Sequence, residues 1–277
     1  MPTIPLYHDR FGPCVRLAHA DADALVALRG AQVLSWRPGG EERLFLSGRP
    51  AAPEGATRGG IPVIFPQFAA EGPGPRHGFA RNATWHVVEA PTRHDAAVAA
   101  LRLVPDATTT AAWPHAFELE LTLALGARWL ELALLVHNPG ATPWTFAAAL
   151  HTYLAVDDPA PPVPHALATH PFDDRSEAGC AGPATGPLDT RHEIERLYRG
   201  VPARLDWPLS SPLRLCSEGW PDLMVWNPGD AKAAKLPDLA PGDHRRFLCV
   251  EPLQHHPLTL APGAHWRATH RLSVPAP

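Results

Sequence analysis

An all-β fold in one domain is what this sequence predicts, and three observations carry it. The 34 prolines are spread along all 277 residues, which leaves little room for long helices and favours short strands joined by stiff loops. Phe117 to Leu125 alternates: Phe117, Leu119, Leu121, Leu123 and Leu125 point to one face, Glu118, Glu120 and Thr122 to the other. No low-complexity linker, composition break or fixed-period repeat divides the chain, so residues 1–277 read as one unit. Large all-β domains reach this length. An apolar content of 45% is ordinary for a globular protein with a sizeable core.

Taken in order, residues 24–36 read as strand, Arg29-Gly30 turn, strand. Leu44-Phe45-Leu46 adds a short strand, Pro53 to Gly60 is loop, and Trp85–Glu89 and Val98–Val104 are strands. After the alternating run, Gly126-Ala127-Arg128 turns the chain. Trp129–Val136 then returns with Leu130, Leu132 and Leu134 alternating, an antiparallel hairpin. Trp144–Val156 is almost wholly apolar, which predicts a central strand covered on both faces. Residues 157–187 read as a long loop or a series of short irregular strands, and Thr190–Tyr198 as one helical turn or a connecting strand. Leu213–Ser217, Asp222–Trp226, Arg246–Glu251 and Trp266–Val274 supply further strands, with a Pro262-Gly263 turn before the last.

Composition narrows the functional classes. A formal net charge of −4 gives no electrostatic reason to expect nucleic acid, so anion recognition must be local. Cys14, Cys180, Cys216 and Cys249 are scattered, with no CxxC pair or tight metal spacing. No basic segment followed by an apolar run opens the chain, and no window reaches the apolar length of a membrane span. The expectation is a cytoplasmic protein with neither a membrane nor a nucleic-acid partner.

The chemistry is concentrated in Arg58-Gly-Gly-Ile-Pro-Val-Ile-Phe-Pro-Gln67 and His77-Gly-Phe-Ala-Arg81. Gly59-Gly60 gives a bend and close approach to a ligand, while Pro62 and Pro66 stiffen the run between them. Arginine offers a planar fork of donors suited to phosphate or carboxylate, and glutamine a donor and an acceptor. Such placed groups suit an oxygen-rich small ligand; a buried loop with paired arginines reads the same way. His151, inside the apolar run, is either a satisfied core histidine or a general acid. Glu251 ends an apolar strand before Pro252, as a base with a raised pKa or as the partner of Arg58 or Arg81. Glu251 and His255 are spaced i,i+4, but Pro252 and Pro257 argue against a metal-binding helix; His165, His170, His255 and His256 read as surface or loop residues. There is no GxSxG elbow and no P-loop ending.

Together, Arg58-Gly-Gly-Ile-Pro-Val, Phe65-Pro-Gln67, His77-Gly-Phe-Ala-Arg81, Leu150-His-Thr-Tyr153, Val225-Trp-Asn-Pro228 and Cys249-Val-Glu-Pro252 resemble the D-hexose-6-phosphate mutarotases (glucose-6-phosphate 1-epimerases) of the aldose 1-epimerase superfamily. The motifs keep their order from about residue 25 to the last strand. The resemblance implies a large antiparallel β-supersandwich of the galactose mutarotase type. It also implies an isomerase that interconverts the α and β anomers of a hexose 6-phosphate without cofactor or metal. His151 falls on the family's general acid and Glu251 on its general base. Arg58, Gln67 and Arg81 match substrate-contacting positions, His77 is expected on sugar hydroxyls, and the arginines are expected on the phosphate. A sugar-binding aspartate would fall at Asp174, beside Asp173 and after Phe172 where a tyrosine is common. Arg76 is an extra cation in the loop between Gln67 and His77. The implied partner is a small sugar phosphate, the protein acting as a monomer or alternatively a dimer. Two rival readings are a mutarotase for unphosphorylated aldoses and a catalytically silent sugar-binding module on the same scaffold.

Overall fold

The computed structural model describes residues 3–50, 55–176 and 186–275. Cys180, the last part of the expected 157–187 loop and the stretch 51–54 lie outside the described residues. In chain order the strands are β1 (Ile4–His8), β2 (Gly12–His19), β3 (Ala22–Ala27), β4 (Gln32–Arg37), β5 (Val63–Ile64), β6 (His86–Val88), β7 (Ala97–Leu103), β8 (Glu118–Gly126) and β9 (Trp129–His137). There follow β10 (Trp144–Leu150), β11 (Thr152–Ala155), β12 (Phe172–Asp174), β13 (Ile194–Arg199), β14 (Arg204–Trp207), β15 (Leu213–Glu218), β16 (Asp222–Asn227), β17 (Phe247–Leu260) and β18 (His265–Ser273). The helices are short: α1 (Ala107–Ala112), α2 (His165–Ala168) and α3 (Gly229–Ala233). None is long and apolar enough to cross a membrane.

The fold is all-β. Strands β1 to β4 form a meander, and two seven-stranded sheets pack with it, in the orders β12-β13-β16-β17-β10-β5 (β11 also pairing with β17) and β14-β15-β18-β9-β8-β7-β6. The named pairs are antiparallel throughout. One core cluster draws on all three sheets, from Val15 to Leu272. At its heart Phe65 touches Phe79, Trp113, Phe117, Trp144 and Phe146. Two of these rings come from the motifs that carry the candidate site, which roots those motifs in the core.

The hairpin forms as its alternation requires: Leu125 opposes Leu130, Gly126 opposes Trp129, and every odd residue from Phe117 to Leu125 is buried. Elsewhere the structure departs from expectation. Trp144–Val156 is two strands, broken at His151. Leu44 and Leu46 make only isolated bridges, to Leu154 and Gly59. Within Thr190–Tyr198 a turn is followed by strand β13 from Ile194, and the 157–176 segment contains α2 and β12. The strand ending in Glu251 runs on through Pro252 to Leu260, because proline's φ suits a strand and removes one donor only. Strands β1 and β2 were not anticipated: β1 buries almost nothing, with Ile4 and Tyr7 exposed, so its sequence lacks the apolar alternation that marks a strand.

Candidate active site

The seven-stranded sheet holding β17 uses its two faces differently. Val225, Leu248, Val250 and Leu154 point into the main core. Alternate residues point the other way and build two rows across the strands. In one row Leu197 opposes Met224, which opposes Glu251. In the next, Glu195 opposes Trp226, Trp226 opposes Cys249, and Cys249 opposes Tyr153. The register is unchanged across the break in the partner strand, with Ala149 opposite Leu253 and Thr152 opposite Val250, so His151 stands directly across from Glu251. Backbone pairing thus brings together two residues that are far apart in the sequence.

His151 Nδ1 lies 3.4 Å from Glu251 Oε1. This is close enough for an ion pair but is not a hydrogen bond: His151 Nδ1 and Glu251 Oε2 are buried without a hydrogen-bond partner. His151 is 7% and Glu251 1% exposed. Burial pushes the Glu251 carboxyl well above its ordinary range and the imidazole well below its own, aided by His77 and the nearby arginines. The pair therefore favours an uncharged arrangement holding one proton between two groups. The His151 ring stacks on Tyr153 with centroids 4.7 Å apart and 6° between planes, and meets the edge of Trp226. Its main-chain N–H donates to Pro62 O, and Tyr153 N–H to Gly60 O, so the Arg58–Gln67 stretch is laced to the histidine's strand.

A cavity of about 330 Å³ opens over the pair, and Arg58, Arg76, His77 and Arg81 line it. Arg58 donates from Nε and Nη2 to Asp238 and from Nη1 to Tyr153 Oη at 3.0 Å. Among the described residues Glu251 has no arginine partner; the carboxylate that Arg58 uses is Asp238. Arg81 Nη2 donates to Arg76 O at 2.7 Å, and burial with the neighbouring guanidiniums lowers its pKa. His77 Nδ1 accepts from Ala69 N–H, so the neutral ring carries its proton on Nε2. Burial and then Arg81, Arg76 and Arg58 keep that ring neutral.

Two expected substrate contacts do not line the cavity. Gln67 clamps the following loop, accepting from Gly74 N–H at 2.7 Å and donating to Gly74 O at 3.1 Å. Asp174 accepts from Ser176 N–H and Oγ–H, while Asp173 pairs with Arg199. Nor do Gly59 and Gly60 approach the ligand space: a Cβ at Gly60 would stand 2.0 Å from Val33 O and one at Gly59 2.3 Å from Phe45 O, so the close approach is to backbone. His255, read as a surface residue, is buried in β17 with Nε2 3.0 Å from Glu71.

Sequence reasoning gave no site role to Glu195, Lys232, Met224 or Trp226, all of which line the cavity. Lys232, on α3, bonds Glu193 and lies 3.7 Å from Glu195. Burial raises the Glu195 pKa against the pull of Lys232. The readable signal for Glu195 was the pattern Ile194-Glu-Arg-Leu-Tyr, which places it on the face opposite Ile194 once the segment is taken as a strand.

The family model described as Aldose 1-epimerase matches residues 13–273. A Cenchrus ciliaris protein named "Putative glucose-6-phosphate 1-epimerase" is 35% identical over 266 residues, 91% of this chain and 81% of its own. An Escherichia coli K12 protein of the same name is 31% identical, over 84% of this chain and 80% of its own. The crystal structure of a "putative mutarotase (YeaD)" from Salmonella typhimurium superposes with a TM-score of 0.85 at 26% identity, covering 100% of this chain and 97% of that one. A galactose mutarotase related enzyme from Lactobacillus acidophilus shares the fold, with a TM-score of 0.72 at 16% identity over 95% of this chain and 97% of that one.

Proposed function

The chain belongs to the aldose 1-epimerase family, an isomerase family, and from that premise we propose that it interconverts the anomers of a hexose 6-phosphate, with His151 and Glu251 as the acid–base pair. The observation that carries the reading is the layout of the cavity: a buried histidine–carboxylate pair on its floor and the guanidiniums of Arg58, Arg76 and Arg81 around it. An uncharged sugar has no need of three arginines, whereas a phosphate does.

The pair holds one proton, and that is what the reaction requires. With the proton on His151, the imidazolium gives it to the ring oxygen while the Glu251 carboxylate takes the proton of the anomeric hydroxyl. The C1–O5 bond breaks and C1 becomes an aldehyde. His151 is then neutral and Glu251 protonated, the arrangement that burial favours in both groups. Rotation about C1–C2 presents the other face of the aldehyde. Closure runs with the roles exchanged: Glu251 protonates the carbonyl oxygen, His151 takes the proton of the attacking hydroxyl, and the pair returns to its starting state. The shared proton is conserved, so no external acid or base enters the cycle.

Arg81 and Arg76 hold the phosphate, with Arg58 contributing the donors not committed to Asp238 and Tyr153. His77 donates from Nε2 to a sugar hydroxyl, and Glu195, rather than Asp174, accepts from one. The test compares saturation-transfer NMR on glucose 6-phosphate and on glucose. Exchange should be accelerated far more for the phosphorylated sugar; equal acceleration on both would return the arginines to a structural role.

A further inference from the structure

Cys249 plays no part in the chemistry above, yet it sits on the same face of β17 as Glu251, two residues away, and opposite Tyr153. One ligand atom each from His151, Cys249 and Glu251 lie within 4.8 Å of one another, and all three residues are buried. A second feature points the same way: His151 Nδ1 and Glu251 Oε2 have no hydrogen-bond partner. Ligand atoms about 2.0–2.1 Å from a tetrahedral zinc ion stand roughly 3.4 Å apart. His151 Nδ1 and Glu251 Oε1 are 3.4 Å apart.

We propose that His151, Cys249 and Glu251 form a binding site for a thiophilic divalent cation of the zinc type, and that filling it switches the enzyme off. The donor set selects the metal. One imidazole nitrogen, one thiolate and one carboxylate suit zinc, whereas calcium and magnesium require mainly oxygen ligands and more of them. Thiolate and carboxylate together offset the two positive charges. On binding, the Cys249 thiol proton and the proton shared by the pair pass to solvent, and three metal–ligand bonds take their place. The fourth position opens to the cavity, because His151 and Glu251 both line it. The arginines around the cavity oppose a cation, but Arg58 is already matched by Asp238. A bound ion inhibits because it occupies both groups that must exchange the proton.

The test adds cobalt(II) to the purified, metal-free full-length protein and reads the near-ultraviolet thiolate-to-cobalt charge-transfer band, with no sugar present. The spectroscopic result is therefore independent of the substrate. In parallel, zinc is titrated into the anomer-exchange assay. The wild type should show the band, lose it to added zinc, and recover full exchange with a chelator, while magnesium does nothing. Cys249→Ala should keep exchange but lose the band. Its zinc inhibition should weaken by more than about 10-fold, the lower end of what even an outer partner of a metal site contributes. Cys249→Ser is the second variant should alanine fail to fold, with the same expectation. Absence of the band in wild type overturns the site. So does a band that survives loss of Cys249, or equal inhibition of wild type and variant by zinc.

Discussion

The two seven-stranded sheets handle charge in opposite ways. In the sheet containing β8 and β9, leucines dominate the inner face, where the buried His270 bonds Ser217 through Nδ1, and the carboxylates and guanidiniums stand outside in pairs: Arg102 with Glu118 and Glu120, Arg93 and Arg271 with Glu131. These side chains are partly solvated, so each pair contributes little. In the sheet containing β17, the inner face is mainly apolar, but the outer face buries His151 and Glu251 between two small apolar clusters without giving either its full set of partners. Buried ionisable groups left short of partners cost stability, which is what a site poised for proton transfer requires. On the proposed reading, the first sheet holds the fold and the second carries the reaction.

That contrast breaks first at Glu251. Glu251→Gln should slow anomer exchange by roughly 100- to 10,000-fold, the usual worth of a placed acid or base. The same change should raise the melting temperature, and more at pH 8 than at pH 5. The sign follows from the raised pKa: a carboxyl held above its ordinary 4.5 in the folded state favours folding while protonated, and this is lost as pH rises through the folded value. Glutamine is neutral at both pH values and escapes the loss. Activity and stability measured on one variant should thus move in opposite directions.

In the other sheet the reverse holds. Leu121→Ala, in the middle of β8 with no exposure, should cost about 2–5 kcal/mol in denaturant unfolding and leave kcat/KM of the folded fraction unchanged. A smaller effect is expected at the cavity rim. Arg81→Ala should lower kcat/KM for glucose 6-phosphate by about 10- to 100-fold, as loss of a hydrogen bond to a charged group implies, and leave exchange on glucose as it was. The least is expected on the outer face of the leucine sheet, where Arg102→Ala should change stability by under about 1 kcal/mol despite two ion pairs.

What the sequence made legible divides along the same line. The hairpin of β8 and β9 is local: alternation and a tight turn specify it, and no distant residue is needed. The pairing of His151 with Glu251 is set by the β10–β11–β17 register, which one strand's sequence cannot state; only the family motifs pointed to both. Gly59 and Gly60 pointed to close approach to a ligand, whereas the neighbour is the backbone of Val33 and Phe45. Gln67 announced a polar contact, and the loop at Gly74 takes it. Asp238 and Lys232 reach the site from the segment that follows β16, where nothing in the local pattern marks them apart from solvent-facing charges.

The most direct test of the central claim is the rate of anomer exchange in glucose 6-phosphate, by saturation-transfer NMR, with wild type and with Glu251→Gln verified as folded. Strong acceleration by the wild type and near-spontaneous exchange with the variant are the predicted result. A variant that accelerates exchange as well as the wild type would contradict the assignment of Glu251 to the proton transfer, and with it the account of why this buried pair is left unsatisfied.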